Sequence, residues 1–379
     1  MTIDINPFIV SGQIPAQYFC DRQKEAKLLH DYLCNQQNVI LSAERRMGKT
    51  KLVDFVFDKA DIDNEYTTIF VDILETGTLN EFVYTFGNTV FRRVASRSEK
   101  MMRLFSMTLK SLSASFGYDP IQGTPTFDIK LGDIVQPDYT LSEIFEFINK
   151  SDRRCLIVID EFQQITHYPE KNFEATLRTH IQKTSNANFV FAGSQRRIMD
   201  EMFGSKGRPF YNSARLIELN AIPLDIYTEF AQRNFHEAEK DVTTAAIKVV
   251  YDMMKGVTLY NQQIMNDAFA CTPKHGICDE EMTNLLINRL LKQNDYRFRE
   301  ILQMLSEQQK ATLFAIHEDS PASKITSANF TKKHRLKSPS STQAALNKLL
   351  DIDLVTRQDG CYSLSDPLMN LWLTRRDRL

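Results

Sequence analysis

Between residues 42 and 51 the chain reads SAERRMGKTK, and Gly48-Lys49-Thr50 is the part suited to holding a phosphate chain. A glycine lets the backbone approach an anion with no Cβ in the way, and successive amide N–H groups around it form a concave anion site. A helix opening at Lys49 adds the positive end of its dipole. Lys49 supplies a mobile point charge for β- and γ-phosphate oxygens, and the Thr50 hydroxyl is a ligand for Mg2+. Glu44, Arg45, Arg46, Met47 and Lys51 complete the candidate loop. The full pattern is GxxxxGK[ST], and its first position here is Ala43, where a methyl is tolerated if φ is negative.

A second segment supplies what a phosphate site needs for hydrolysis. LIVIDEF (156–162) is an apolar run that ends in two carboxylates. Asp160 is placed to reach the metal through water, and Glu161 to orient or deprotonate the attacking water. The acidic pair argues against a small-molecule kinase, which has no use for a water-activating glutamate. NFVFAGS (188–194) ends in Ser194, a polar group for the γ-phosphate or an ordinary helix cap. Arg208 and Arg215 are candidates for a charge-stabilising arginine, in cis or in trans, or for surface ion pairs.

These residues need a frame. NVILSA (38–43) reads as a buried strand and KTKLVDFVFDKA as the helix that follows, the opening of a βα unit. YTTIFVDIL (66–74), RCLIVID (154–160), NFVFAGS and RLIELNAI (215–222) are further strands, with RCLIVID apolar enough for a central strand covered on both faces. Helices are expected within 1–37 (Ala26, Leu29, Tyr32 and Leu33 on one face), over about 78–116, over 140–150 with Thr140 as N-cap and Glu143 at the reciprocal position, and around 173–185. Residues 117–139 read as an insertion with one edge strand, TFDIKLG. Strands alternating with helices predict a parallel sheet with right-handed crossovers. Ligands of such sheets bind at the carboxyl ends of the strands, so both motifs converge on one edge.

Beyond residue 223 the pattern turns helical, with periodic segments up to about 293. From 296, three helices precede LVTRQDGCYSLSD, a hairpin turning at Asp359-Gly360, the order of a winged helix. The reading is an α/β core over 1–223, a helical lid over 224–295 and a winged-helix domain over 296–379. The last domain carries thirteen basic against nine acidic residues, with Lys332, Lys333, His334, Arg335 and Lys337 preceding a helix that offers Ser341, Gln343, Asn347 and Lys348. Such residues contact phosphates and base edges of double-stranded DNA, though a winged helix serves equally as a protein-interaction module. Leu368, Leu371, Trp372 and Leu373 are expected to dock this domain on the lid.

Composition excludes several classes. The 379 residues carry 46 Lys+Arg and 48 Asp+Glu, net charge −2, which argues against a nucleic-acid coat along the whole length. No run approaches the ~20 apolar residues of a membrane span. MTIDINPFIV does not look like a secretory signal, and the six cysteines lack the density of a disulfide framework, so a cytoplasmic protein is expected. Cys271, His275 and Cys278 lack a further ligand at a zinc-type spacing and read as loop residues.

ERRMGKT, DEFQ, FAGS and the closing SDPLMNLWL, with NPFIV, FCDRQKE, RPFY and GVTLYNQQ, together resemble the archaeal-type ATPases, in the AAA+-related, STAND-like branch of P-loop NTPases. The resemblance spans nearly the whole chain. It implies an ATP-binding core, a helical lid and a C-terminal winged helix, with Tyr18, Phe19 and Arg22 near the adenine, Lys49 and Thr50 at the phosphates, and Asp160 and Glu161 at metal and water. The Gly-x-Pro element of the family's lid is Gly256-Val257-Thr258 here, without the proline. The favoured expectation is an ATPase using ATP and Mg2+ and moving its winged helix. The alternative is a nucleotide-gated switch that binds DNA or protein and scarcely hydrolyses. A homo-oligomer is required if an arginine acts in trans.

Overall fold

The runs read as strands assemble into one sheet. In the computed structural model, which describes residues 6–111, 116–118, 125–127 and 130–375, strands β1 (Val39–Ala43), β2 (Tyr66–Asp72), β3 (Arg154–Asp160), β4 (Ala187–Gly193) and β5 (Arg215–Leu219) pair in parallel. Their order is β2-β3-β4-β1-β5. The three inner strands are almost continuously buried, whereas the edge strand β2 alternates, with Thr67, Ile69 and Val71 inward. That contrast is what a sheet covered on both faces requires of its centre and relaxes at its edges. The strands belong to a compact unit running from Arg22 to Asn220.

The helices cover the sheet largely where periodicity puts them. Helix α1 (Gln23–Cys34) buries Ala26, Leu29 and Leu33, and α2 (Lys49–Phe57) buries Leu52, Val53 and Val56. Phe82, Phe86 and Val90 are buried on α3 (Leu79–Arg93), but the expected long helix stops there: Ser98 caps a second one, α4 (Glu99–Thr108), by accepting Met101 N–H. Helix α5 runs over Pro137–Lys150, one turn earlier than the Thr140 cap implies. Pro137 opens it, and Thr140 and Glu143 lie buried inside. The Glu143 carboxylate instead accepts the Lys110 and Ser111 N–H groups, 33 and 32 residues away in sequence. The strand expected within TFDIKLG is Pro125–Phe127, which pairs antiparallel with Phe116–Tyr118 outside the main sheet; Asp128 and Ile129 lie outside the described residues. Helices α6 (Phe173–Lys183) and α7 (Arg196–Gly204) belong to the same unit, as does a short helix over Ala60–Glu65.

Phenylalanines fix the turn that leaves β3. Phe162, fully buried, lies 4.6 Å from Phe191 of β4 and 5.2 Å from Phe210, ring centre to ring centre. Burying one such ring stabilises by about 2–3 kcal/mol. The residue before it, Glu161, is thereby held against the end of the sheet.

The second compact unit contains the residues up to Asp21 and those from Ala221 on. Helices α8 (Leu224–Glu237), α9 (Thr244–Met253), α10 (Thr258–Cys271) and α11 (Glu280–Met304) pack with the N-terminal strap, where Phe8 meets Phe230, Phe235 and Phe269 at 5.6–6.0 Å. Helix α11 runs unbroken through residue 296. Next come α12 (Glu307–Glu318), α13 (Ala328–Lys333) and α14 (Pro339–Asp351, capped by Ser338), then the hairpin of β6 (Val355–Gln358) and β7 (Cys361–Leu364). Asp359 and Gly360 both take positive φ at its turn. The last helix, α15 (Pro367–Arg375), buries Leu368, Trp372 and Leu373 and docks on α11, where Trp372 Nε1 donates to Asp295 at 2.9 Å and Arg375 to Asn288 at 2.8 Å. Among the described residues no helix is long and apolar enough to cross a membrane.

Candidate functional site

The loop from β1 to α2 has the backbone of an anion cradle. Gly48 sits at φ +90° and Arg46 at +66°, so the chain turns sharply before the helix opens. A Cβ on Gly48 would meet nothing within 4 Å; the glycine is required by conformation, and the space above it is open. Helix α2 has neither a capping side chain nor an acidic residue in its first turn, the setting in which a helix start favours an anion. Ala43, at the glycine position of the pattern, is the last residue of β1 and pairs with Leu219 in extended conformation, where a methyl costs nothing. Glu44, Arg45 and Thr50 are exposed, and Lys51 pairs with Asp54 at 3.2 Å.

Arg22 braces this loop from behind. Its guanidinium, 6% exposed, donates to the Met47 carbonyl at 3.3 Å and to Glu25 at 3.1 Å. That contact is to the loop itself. Left-handed residues such as Arg46 cost about 1–3 kcal/mol and persist only when their surroundings hold them. Arg22→Ala is therefore expected to weaken ATP binding about tenfold, the loss of one charge-assisted hydrogen bond of ~1.5 kcal/mol, as read by calorimetric titration; unchanged affinity would free the loop from this strut.

Four candidate residues meet at the carboxyl ends of β1, β3 and β4. Lys49 and Asp160 are 8% and 9% exposed, both nearly out of water. Burial pushes the Asp160 carboxyl above the usual range, the Lys49 ammonium opposes that rise, and Glu161 and Asp72 add to it. Glu161 itself sits at φ +55°, and its N–H donates to Asp160 Oδ1 at 3.0 Å. Its Oε2 accepts from the Ser194 hydroxyl at 2.6 Å and from the Gln163 amide.

The arginines do not join them. Arg215 opens β5 opposite Val39, at the amino ends of the strands, and donates to Gln37 at 3.1 Å. It stands at the wrong edge of the sheet to act in cis, because it is the first residue of a strand that runs parallel to β1 while the phosphate loop leaves the other end. Arg208 pairs with Glu174 at 3.0 Å. Burial raises the Glu174 carboxyl, Arg208 opposes it, and Glu201 adds to the rise. Tyr18 ends a short helical turn, Ala16–Tyr18, and Phe19 is buried; both belong to the other compact unit. Sequence reasoning passed over Asp72, which ends β2 in register with Asp160, and quoted Gln163 within DEFQ without giving it a role. An acidic residue closing a neighbouring strand was the available signal for the first.

A five-stranded parallel sheet with this loop and this acidic strand end is that of the P-loop ATPases. The chain belongs to the family of ATPase domains found predominantly in Archaea, whose model matches residues 19–260, and a winged-helix family model matches residues 296–375. Among solved structures, a Walker-type ATPase of Pyrococcus abyssi is similar with 16% identity and a TM-score of 0.67, covering 97% of this chain and 99% of its own. The Aeropyrum pernix ORC2 protein, solved as ADPNP and ADP complexes, has 12% identity and a TM-score of 0.57 over 99% and 97% of the two chains. No curated protein matches significantly.

Proposed function

We propose that this chain is a Mg2+-dependent ATPase that couples its nucleotide state to the winged helix. The observation that carries the reading is the meeting of Lys49, Asp160, Glu161 and Ser194 beside an uncapped helix start. The α2 amides and Lys49 would bind the β- and γ-phosphates, and the ADPNP and ADP of the similar ORC2 protein agree with a nucleotide there. The donor set suits a hard divalent cation: Thr50 presents an exposed hydroxyl, and Asp160 a buried carboxylate short of compensating charge. When bound, Mg2+ neutralises charge on the β- and γ-oxygens. Glu161 accepts the proton of water as its oxygen bonds to the γ-phosphorus and the bond to the β-bridging oxygen breaks. Ser194 steadies a γ-oxygen, and Arg208 is the candidate for a finger in trans.

The winged helix supports a duplex-binding reading only in part. Lys333 and His334 are engaged by Asp319 and Glu318, at 2.6–3.1 Å, which leaves the exposed Lys332, Arg335 and Lys337 as the basic face. Gln343 and Asn347 hydrogen-bond to each other at 2.8 Å.

The test is calorimetry and thermal melting with ATP, with and without Mg2+. At a hundredfold excess over Kd, a ligand adds about 2.7 kcal/mol of stability. An unmoved melting curve at saturating ATP would end the proposal. Steady phosphate release distinguishes the ATPase from the slow switch, for which a single turnover is expected.

A further inference from the structure

Among the described residues, Gln163 is a polar side chain whose burial brings little stability of its own. It is 2% exposed, and its Oε1 has no hydrogen-bond partner. An apolar side chain of equal length would fill the space without leaving a carbonyl oxygen desolvated, so packing alone does not account for the amide. The room it occupies is taken from β4: a Cβ on Gly193 would lie 2.8 Å from Gln163 Oε1 and 2.5 Å from Met199 Sδ. A glycine there is what lets the amide in. Once in place, it gives an N–H to Glu161 Oε2, its one side-chain hydrogen bond among the described residues.

We propose that Gln163 is the positioning residue for Glu161, holding Oε2 so that Oε1 is the oxygen offered to water. The inference rests on the reading of Glu161 as the base. Ser194 donates to the same Oε2, but a hydroxyl has one proton. When Ser194 turns that proton to a phosphate oxygen, Glu161 loses one of its two tethers. Gln163, 2% exposed and seated in room that a side chain at position 193 would take, is the donor that stays. Two donors on one oxygen thus free the serine for the substrate without releasing the glutamate.

The experiment compares parent protein, Gln163→Met, Glu161→Gln and the double variant in steady phosphate release, ATP titration and melting. Gln163→Met is expected to lower kcat about tenfold or more, part of the ~10²–10⁴-fold a positioned base supplies, with KM and ATP affinity within about twofold. The double variant should be no slower than Glu161→Gln, since Gln163 acts only through that carboxylate. Should Gln163→Met fail to fold, Gln163→Ala removes the donor without adding bulk, with the same loss of kcat expected. An unchanged kcat in either folded variant while Glu161→Gln is inactive overturns this inference alone. So does a further loss in the double variant, or a parallel fall in ATP affinity, both signs of a structural role. An active Glu161→Gln overturns the underlying reading instead.

Discussion

Glutamine in place of Glu161 is expected to cut kcat for ATP hydrolysis by about 10³-fold, within the ~10²–10⁴-fold of a positioned general base. The substitution is isosteric, and its amide oxygen can still accept from Ser194, so the left-handed turn and the Phe162 anchor survive. What is lost is the capacity to take a proton. Binding should hardly change, because Lys49 and the α2 amides are untouched. Phosphate release at saturating ATP and a calorimetric titration separate the two effects; turnover within tenfold of the parent would strip Glu161 of its role.

Lys49→Ala acts a step earlier. Losing a charge-assisted contact of ~1.5–3 kcal/mol is expected to weaken ATP about 10–150-fold, so at a hundredfold excess over the parent Kd the ATP-dependent stabilisation should fall from about 2.7 to about 0.3–1.4 kcal/mol, with the rise in Tm reduced in proportion. The free protein changes too. Lys49 is the chief influence opposing the burial-driven rise of the Asp160 carboxyl, so its removal drives that rise further. A carboxyl raised in the folded state contributes stability below its unfolded pKa and loses it as pH climbs through the folded value. The gap in Tm between variant and parent should therefore be widest at neutral pH and close below the ordinary aspartate range. A gap independent of pH would mean the two groups do not communicate.

The frame of this site was legible because its signals are local. Inner strands announce themselves as unbroken apolar runs, and GKT between a strand and a helix has few other uses. Features decided at a distance were not. Thr140 and Glu143 carry the spacing of a capping box, yet the carboxylate serves Lys110 and Ser111, which no window on that helix contains. The long helix of the core ends at Arg93 and a second begins only after the Ser98 cap, although apolar residues go on through Met101 and Phe105. Helix α11 crosses residue 296 because its later turns face Trp372, with Phe298 at 5.5 Å from that ring. Gln163 stood in the DEFQ motif without a role for the same reason: its meaning lies in Gly193, thirty residues on.

The ion pair of Arg208 and Glu174 carries one more implication. If Arg208 serves the nucleotide of a neighbouring subunit, it must first abandon a carboxylate that is already largely withdrawn from water and has Glu201 nearby. Deprived of its cation, Glu174 gains affinity for hydrogen ions, so assembly would be accompanied by proton uptake and would tighten as the medium acidifies.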